Sequence, residues 1–230
     1  MLKPPRIPLS VASLVGIDSA SIQSKAGEVA LAHHGILFFD EFTNFSKSVL
    51  ESLREPLEDH RILVSRVNAK IVYETKFLFA AAQNPCPCGN LLSQSLECRC
   101  SQLELSRYKN RISEPILDRI DLHIQMSEEH TNELSMSSEQ MQEKVLKAFF
   151  LQKKRGQSEL NGKLSEHDTH TFCTLSNEAQ ESLSMAQMRL GLTQRSSDKI
   201  LRISRTIADL EECDIISNKH LLEALSFRKR

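Results

Sequence analysis

In the segment Gly35-Ile36-Leu37-Phe38-Phe39-Asp40-Glu41, an unbroken apolar run meets two consecutive acids. In open α/β sheets ligands lie outside the carboxyl ends of the strands, so an acid at Asp40 could hold Mg²⁺ through water. Its neighbour Glu41 could then polarise an attacking water, and hydrolysis of a nucleoside triphosphate needs both tasks. Taken alone, the string fits a buried strand running into an acidic loop equally well. A nucleotide site also needs a phosphate cradle, and this sequence contains no Gly-x-x-x-x-Gly-Lys-Ser/Thr. The nearest approach is Gly156 to Gly162-Lys163, with five intervening residues and Leu164 following.

The second constellation is sulfur. Cys86-Pro87-Cys88 and Cys98-Arg99-Cys100 stand nine residues apart and together could offer four thiolates to a tetrahedral Zn²⁺. C-x-C is tighter than the common C-x2-C knuckle, so free or redox-sensitive thiols are the alternative. Six cysteines in 230 residues are too sparse for a disulfide scaffold, and Cys173 and Cys213 read as buried thiols. The string His167-Asp168-x-His170 sits in polar sequence and reads as solvated.

These groups need elements to place them. Ile36 to Phe39 and Phe77 to Ala82 are short continuous apolar runs, the pattern of strands covered on both faces in a parallel sheet. Between them, Ser46 to Glu58 has helical spacing through Val49, Leu50, Leu53 and Leu57, with Pro56 as a kink or stop. Ile62-Leu63-Val64 and Lys70-Ile71-Val72-Tyr73 flank Arg66-Val67-Asn68-Ala69 and predict a β-hairpin decorated by Arg61, Arg66 and Lys70. A third strand is expected over Ile120 to Gln125, and a linker from Met126 to Ser138. Beyond it the pattern is helical. Ser137-x-x-Gln140 predicts a capping box ahead of Val145, Leu146, Phe149 and Phe150, with Gly156 as a left-handed cap. Gln157 to Thr171 reads as loop; a helix then runs from Ser176 to Gly191, another carries Ile200, Ile203, Ile207 and Leu210, and a last spans Asn218 to Phe227.

Composition narrows the function classes. With 40% apolar and 26% charged residues the chain is of ordinary globular type. Lys plus Arg number 29 against 30 Asp plus Glu, so a net charge of -1 gives no global attraction for nucleic acid or anionic membrane. DNA contact would have to come from a local patch. No stretch approaches a membrane span and no signal peptide is visible, which makes the cytoplasm the expected location.

Several motifs joined in order carry a family resemblance. Gly27-Glu28-Val29-Ala30-Leu31-Ala32-His33-His34-Gly35 leading into the acidic strand resembles the magnesium-chelatase-like AAA+ ATPases, specifically the ComM/YifB branch. Phe77 through Asn84-Pro85-Cys86-Pro87-Cys88-Gly89 is similar to that branch's sensor 1 strand, which implies that Asn84 orients the lytic water. Arg107-Tyr108-x-x-Arg111-Ile112-Ser113-Glu114-Pro115-Ile116-Leu117-Asp118-Arg119 resembles its arginine-finger region, with Arg119 at the finger position and Arg111 as the alternative. Glu114 departs from the family's usual Gly. Gly191 to Leu210 resembles the lid's sensor 2 helix, with Arg195 as the matching arginine and Arg202 and Arg205 as exposed residues.

The resemblance runs from about Arg6 to Leu225 and implies a fold class. It is α/β, a partial AAA+ P-loop NTPase core over residues 1–130 followed by an all-helical lid over 131–230. It implies ATP and Mg²⁺ as cofactors, catalysis by Glu41 and Arg119, and nucleotide contacts from Asp40, Asn84 and Arg195. The family further implies an upstream Walker A segment, homo-hexameric rings, and ATP-driven DNA remodelling of the helicase or branch-migration kind. On its own, this chain is expected to be inactive. Two other readings stand beside this one: a magnesium-chelatase motor subunit for porphyrin metallation, and a regulatory module that never turns over ATP.

Overall fold

A computed structural model describes Leu14 and residues 26–66, 69–126 and 136–228, apart from the side chains of 65–69. The chain divides into two compact units, Met1–Ile120 with Gln125–Glu129, and Asp121–Ile124 with His130–Arg230. No helix among the described residues is long and apolar enough to cross a membrane.

The first unit contains helix α1 (Glu28–Leu31), strand β1 (Ile36–Phe39), helices α2 (Lys47–Ser52) and α3 (Arg54–Glu58), and strands β2 (Arg61–Arg66), β3 (Ala69–Glu74) and β4 (Leu78–Ala81). Helices α4 (Gln102–Lys109) and α5 (Glu114–Leu117) follow. β1 and β4 pair in parallel, Ile36 opposite Leu78 and Phe39 opposite Ala81. A parallel pair needs a long crossover, and α2, α3 and the β2–β3 hairpin supply it. Only one face of the pair is packed here: Leu37 and Phe39 are buried, whereas Ile36 and Leu78 are 47% and 64% exposed. The expected cover on both faces is therefore half present among the described residues. Phe39 is the hub of an aromatic cluster, with Phe42, Phe45 and Phe79 ring centroids 5.6, 4.7 and 5.7 Å away in edge-on or tilted geometry.

The helical segment after β1 breaks at Leu53, between α2 and α3, rather than at Pro56. Proline has no N–H to donate to the carbonyl four residues back, so the disruption falls one turn earlier, at Ser52 and Leu53. The hairpin forms as expected, with Arg61 opposite Glu74 and Ser65 opposite Lys70. Its inner face buries Ile62 and Val64. Ile120 to Gln125 is not a strand: it has no ladder partner among the described residues, and the His123 amide instead donates to the Phe227 carbonyl at 2.8 Å.

Among the described residues the second unit is helical apart from one parallel bridge, Leu175 to Ile216: α6 (Ser138–Lys154), α7 (Glu166–Phe172), α8 (Asn177–Leu190), α9 (Gln194–Leu210) and α10 (Asn218–Ser226). Local chemistry sets the ends. Ser137 and Gln140 form the capping box of α6. Gly156, at φ 78°, closes that helix with its amide on Lys153 O and the Gln157 amide on Gln152 O, the two bonds of a Schellman cap. Ser176 caps α8 and Gly191 ends it at φ 60°. The segment expected as loop contains α7, started by Ser165, whose hydroxyl accepts from the Asp168 amide at 3.1 Å.

Exposure in this unit departs from the sequence pattern in two places. Val145, Leu146 and Phe150 of α6 are 59%, 46% and 64% exposed, and the helix instead buries Ala148 and Gln152. The reason is a polar core that needs Gln152: its side chain accepts from the Asn161 amide at 2.9 Å and donates to Ala148 O at 3.2 Å. Arg205, expected to be exposed, is fully buried. Its Nε donates to Asp209 Oδ1 at 3.1 Å and its Nη1 to Asp214 O at 2.7 Å, while Asn161 Nδ2 donates to the other Asp209 oxygen at 2.7 Å. Arg155 forms a second ion pair with Asp209. Removing one member of such a group strands the others in a dry interior. Asp209→Ala is thus expected to cost about 3–5 kcal/mol. Thermal melts should show it plainly, beside a shift of under about 1 kcal/mol for Lys219→Ala at an exposed ion pair.

Candidate functional site

The parallel ladder continues past the strand ends: the Ala82 amide donates to Phe39 O at 2.8 Å, and the Phe42 amide donates to Ala82 O at 2.9 Å. Asp40 and Glu41 lie between these two bonds, on the turn that leaves β1, and both are exposed. Glu41 adopts left-handed backbone geometry, φ 50° and ψ 47°. That conformation costs a residue with a Cβ roughly 1–2 kcal/mol, so it persists only where neighbours enforce it. Three bonds do so. The Glu41 amide donates to Asp40 Oδ1 at 2.9 Å, the Asn44 amide donates to Glu41 O at 2.7 Å, and Asn44 Nδ2 donates to Glu41 Oε2 at 2.9 Å. The carboxylates are held apart in role: one caps the turn, the other is oriented by an amide.

Asn84 is exposed on the turn that leaves β4, at the same end of the sheet as the acids. Its backbone carbonyl accepts from the Tyr108 hydroxyl at 3.1 Å, and that hydroxyl accepts from Thr43 Oγ1 at 2.7 Å. Thr43 is buried two residues beyond Glu41, and its carbonyl accepts from Arg111 Nη1 at 3.1 Å. Tyr108 therefore bridges the acidic turn and the amide turn. Sequence separations of 65 and 24 residues carry no local signal for this, so the roles of Tyr108, Thr43 and Asn44 were invisible before the fold was known.

Arg119 follows α5 and is engaged within its own chain, pairing with the Glu58 carboxylate and donating to Pro115 O. Arg111 lines a shallow depression of about 450 Å³ together with Asn44, Lys47, Arg107 and Asn110. Three cations among its lining residues make that surface favourable to anions. Among the hairpin residues, Arg61 and Lys70 are exposed on β2 and β3, with Glu74 opposite Arg61. The Arg66 side chain lies outside the described residues. Arg195 is exposed in the first turn of α9, whose Thr193 cap accepts from the Ser196 amide at 3.2 Å.

The cysteines of the loop converge. The sulfurs of Cys86, Cys88, Cys98 and Cys100 all lie within 4.8 Å of one another, and none is in a disulfide. The amides of Asn90 and Arg99 bring the Cys88 thiol down to about 6, while burial pushes Cys100 up to about 12. Cys173 is buried as expected, and desolvation raises its thiol to about 11, whereas Cys213 is only half-buried. Glu211, Cys213 and His220 also meet, but Lys219 already neutralises Glu211 at 2.7 Å. His170 is 57% exposed and 3.8 Å from the buried Asp198, whose Oδ1 already accepts from Gln194 Nε2 at 2.9 Å.

Comparison with known proteins places this geometry. The family described as magnesium chelatase, subunit ChlI, matches residues 2–134, and the family of its C-terminal domain matches residues 135–228. YifB of Escherichia coli and the competence protein ComM of Haemophilus influenzae are each 38% identical over 232 residues, covering 98% of this chain and 45% of their own length. YifB of Salmonella typhimurium matches to the same extent. The chain thus spans about half the length of these relatives. An acidic strand paired in parallel with an amide-ended strand, a four-cysteine loop after it and a helical unit beyond all belong to one matched sequence: the chain is a member of the magnesium chelatase ChlI family, in its ComM/YifB group.

Proposed function

We propose that this chain carries the hydrolytic and sensing half of an AAA+ ATPase site, and that the intact protein uses ATP hydrolysis to remodel DNA. The observation that supports it most is the joint placement of Asp40, Glu41 and Asn84 at one end of a parallel strand pair in a chain of this family. Exposed carboxylate oxygens suit a hard cation, so Asp40 is assigned to Mg²⁺, directly or through water. When bound, Mg²⁺ would neutralise negative charge on the transferring phosphate. Glu41, held by Asn44, orients and deprotonates the attacking water, and Asn84 supplies an amide to the same water. Arg119 is assigned as the arginine finger toward a neighbouring subunit, which requires it to exchange Glu58 for phosphate; Arg111 on the cationic depression is the alternative. Arg195 adds its charge at the positive end of the α9 dipole and contacts phosphate from the lid.

On this reading the core and lid divide near residue 130, the working assembly is a homo-hexamer in the cytoplasm, and Zn²⁺ occupies the four-cysteine loop. The β2–β3 hairpin, with Arg61, Arg66 and Lys70, is the DNA-facing element, since a ring would multiply a few charges sixfold. The name of one relative, a competence protein, agrees with work on DNA. A porphyrin-metallating motor is the weaker reading, because it gives the four-cysteine loop no task.

Three experiments test this. The 230-residue chain should show no ATP turnover alone. Joined behind a relative's phosphate-loop segment it should hydrolyse ATP, and Glu41→Gln there should abolish turnover while ATP binding survives. Turnover retained in that variant would remove Glu41 from its role. In the same protein, replacing Arg66 and Lys70 with Ala should weaken DNA binding and flatten its dependence on salt, by about one unit of log–log slope per lost phosphate contact. An unchanged salt slope would take DNA binding away from the hairpin.

A further inference from the structure

We propose that Cys86, Cys88, Cys98 and Cys100 form a tetrathiolate site for a d¹⁰ divalent ion of the zinc class, and that this ion clamps the Asn84 turn to the start of α4. Sulfur geometry fits such an ion. Cys86 and Cys88 sulfurs are 3.4 Å apart, Cys88 and Cys98 3.6 Å, and Cys86 and Cys98 3.8 Å. A tetrahedron with metal–sulfur bonds of about 2.3 Å places its sulfurs about 3.8 Å apart. The spacing is far beyond the roughly 2.05 Å of a disulfide bond.

The fold of the loop also calls for a bound ion. From Ala82 to Ser101 the regular structure is one short 3₁₀ turn, Asn90–Leu92, and Cys86 is the one buried residue among the described residues of that segment. Leu91, Leu92 and Leu96 are 36%, 41% and 60% exposed, so no apolar core organises it. A loop this long without a core requires another staple. Its backbone is shaped for one. Gly89 takes φ 82° with its amide on Cys86 O at 3.0 Å, and the amides of Asn90 and Arg99 donate to the Cys88 sulfur. Amides turned toward a thiolate sulfur are the outer support that a metal-bound thiolate needs.

The four sulfurs join two segments of the candidate site. Cys86 lies two residues after Asn84, and Cys100 lies two residues before α4, which Ser101 opens with a capping box to Glu104. Helix α4 then carries Tyr108 back to the Asn84 carbonyl and to Thr43 beside the acidic turn. An ion at the head of α4 and the Tyr108 hydroxyl near its tail fix the helix at two points. The position of Asn84 is set between them. The consequence for ATP hydrolysis rests on the role proposed above for Asn84, whereas the site and the clamp are tested without nucleotide.

The whole 230-residue chain, purified under reducing conditions, should contain about one zinc ion per chain. Cobalt(II) replacing it should show thiolate-to-metal charge transfer and the visible bands of tetrahedral coordination. Cys88→Ser and Cys98→Ser should each lose the zinc and the spectrum; Cys86→Ser tests the buried ligand, and Cys88, being exposed, keeps the test valid if that variant fails to fold. Absence of stoichiometric metal, or zinc content unchanged in these variants, overturns the site. The clamp has its own reporter, because the chain has no Trp and two Tyr. In a Tyr73→Phe background, stripping the metal with a chelator should change Tyr108 emission and increase its quenching by acrylamide, both restored by zinc. Emission unmoved by metal removal overturns the clamp.

Discussion

Everything at the candidate site depends on the parallel register of β1 and β4. Register fixes which strand ends meet, and a slip of one residue would turn every side chain to the opposite face. Here the ladder bonds run through Ala82 to Phe39 and Phe42, so the acids leaving one strand and the amide leaving the next emerge side by side. Phe39, fully buried among Phe42, Phe45 and Phe79, resists such a slip, because moving it would empty the aromatic cluster. Packing on one face of the sheet thereby sets chemistry at its end.

A second layer of constraint ties the turns to each other. Tyr108 takes a half-buried hydrogen bond from Thr43 and gives an exposed one to Asn84, so neither turn can move without breaking a bond to the other. Asn44 does the equivalent within the acidic turn, holding Glu41 in a backbone conformation that is otherwise unfavourable. Strain at a single charged residue, offset by three short-range bonds, is the pattern expected where a side chain must be aimed.

What the sequence disclosed is what local chemistry decides. Apolar runs gave β1 and β4, and the caps at Ser137, Gly156, Ser176 and Gly191 gave helix ends to within a residue, because each cap is satisfied by groups a few positions away. Apart from the helix break at Leu53, the failures were matters of partnership. Ile120 to Gln125 has strand-like residues but no ladder beside it, and α7 was hidden in polar sequence because its support is the Ser165 cap rather than an apolar stripe. Arg205 looked like a surface residue, yet Asp209 and two backbone carbonyls make it the buried centre of the helical unit. The candidate acids, Asn84 and the four cysteines were legible as types and spacings; their mutual fixing by Asn44, Tyr108 and Thr43 was not, since nothing in a linear string relates residues 65 apart.

The central claim is that Glu41 and Asn84 act on one water as a unit. Groups that serve the same event are non-additive, whereas independent groups multiply their losses. The direct measurement is a double-variant cycle of ATP turnover in the protein joined to a phosphate-loop segment, comparing Glu41→Asp, which keeps a displaced carboxylate and a measurable rate, with Asn84→Ala and the pair. The account predicts that the pair is no slower than the more damaging single change. Losses that multiply in full would show two separate roles and contradict it.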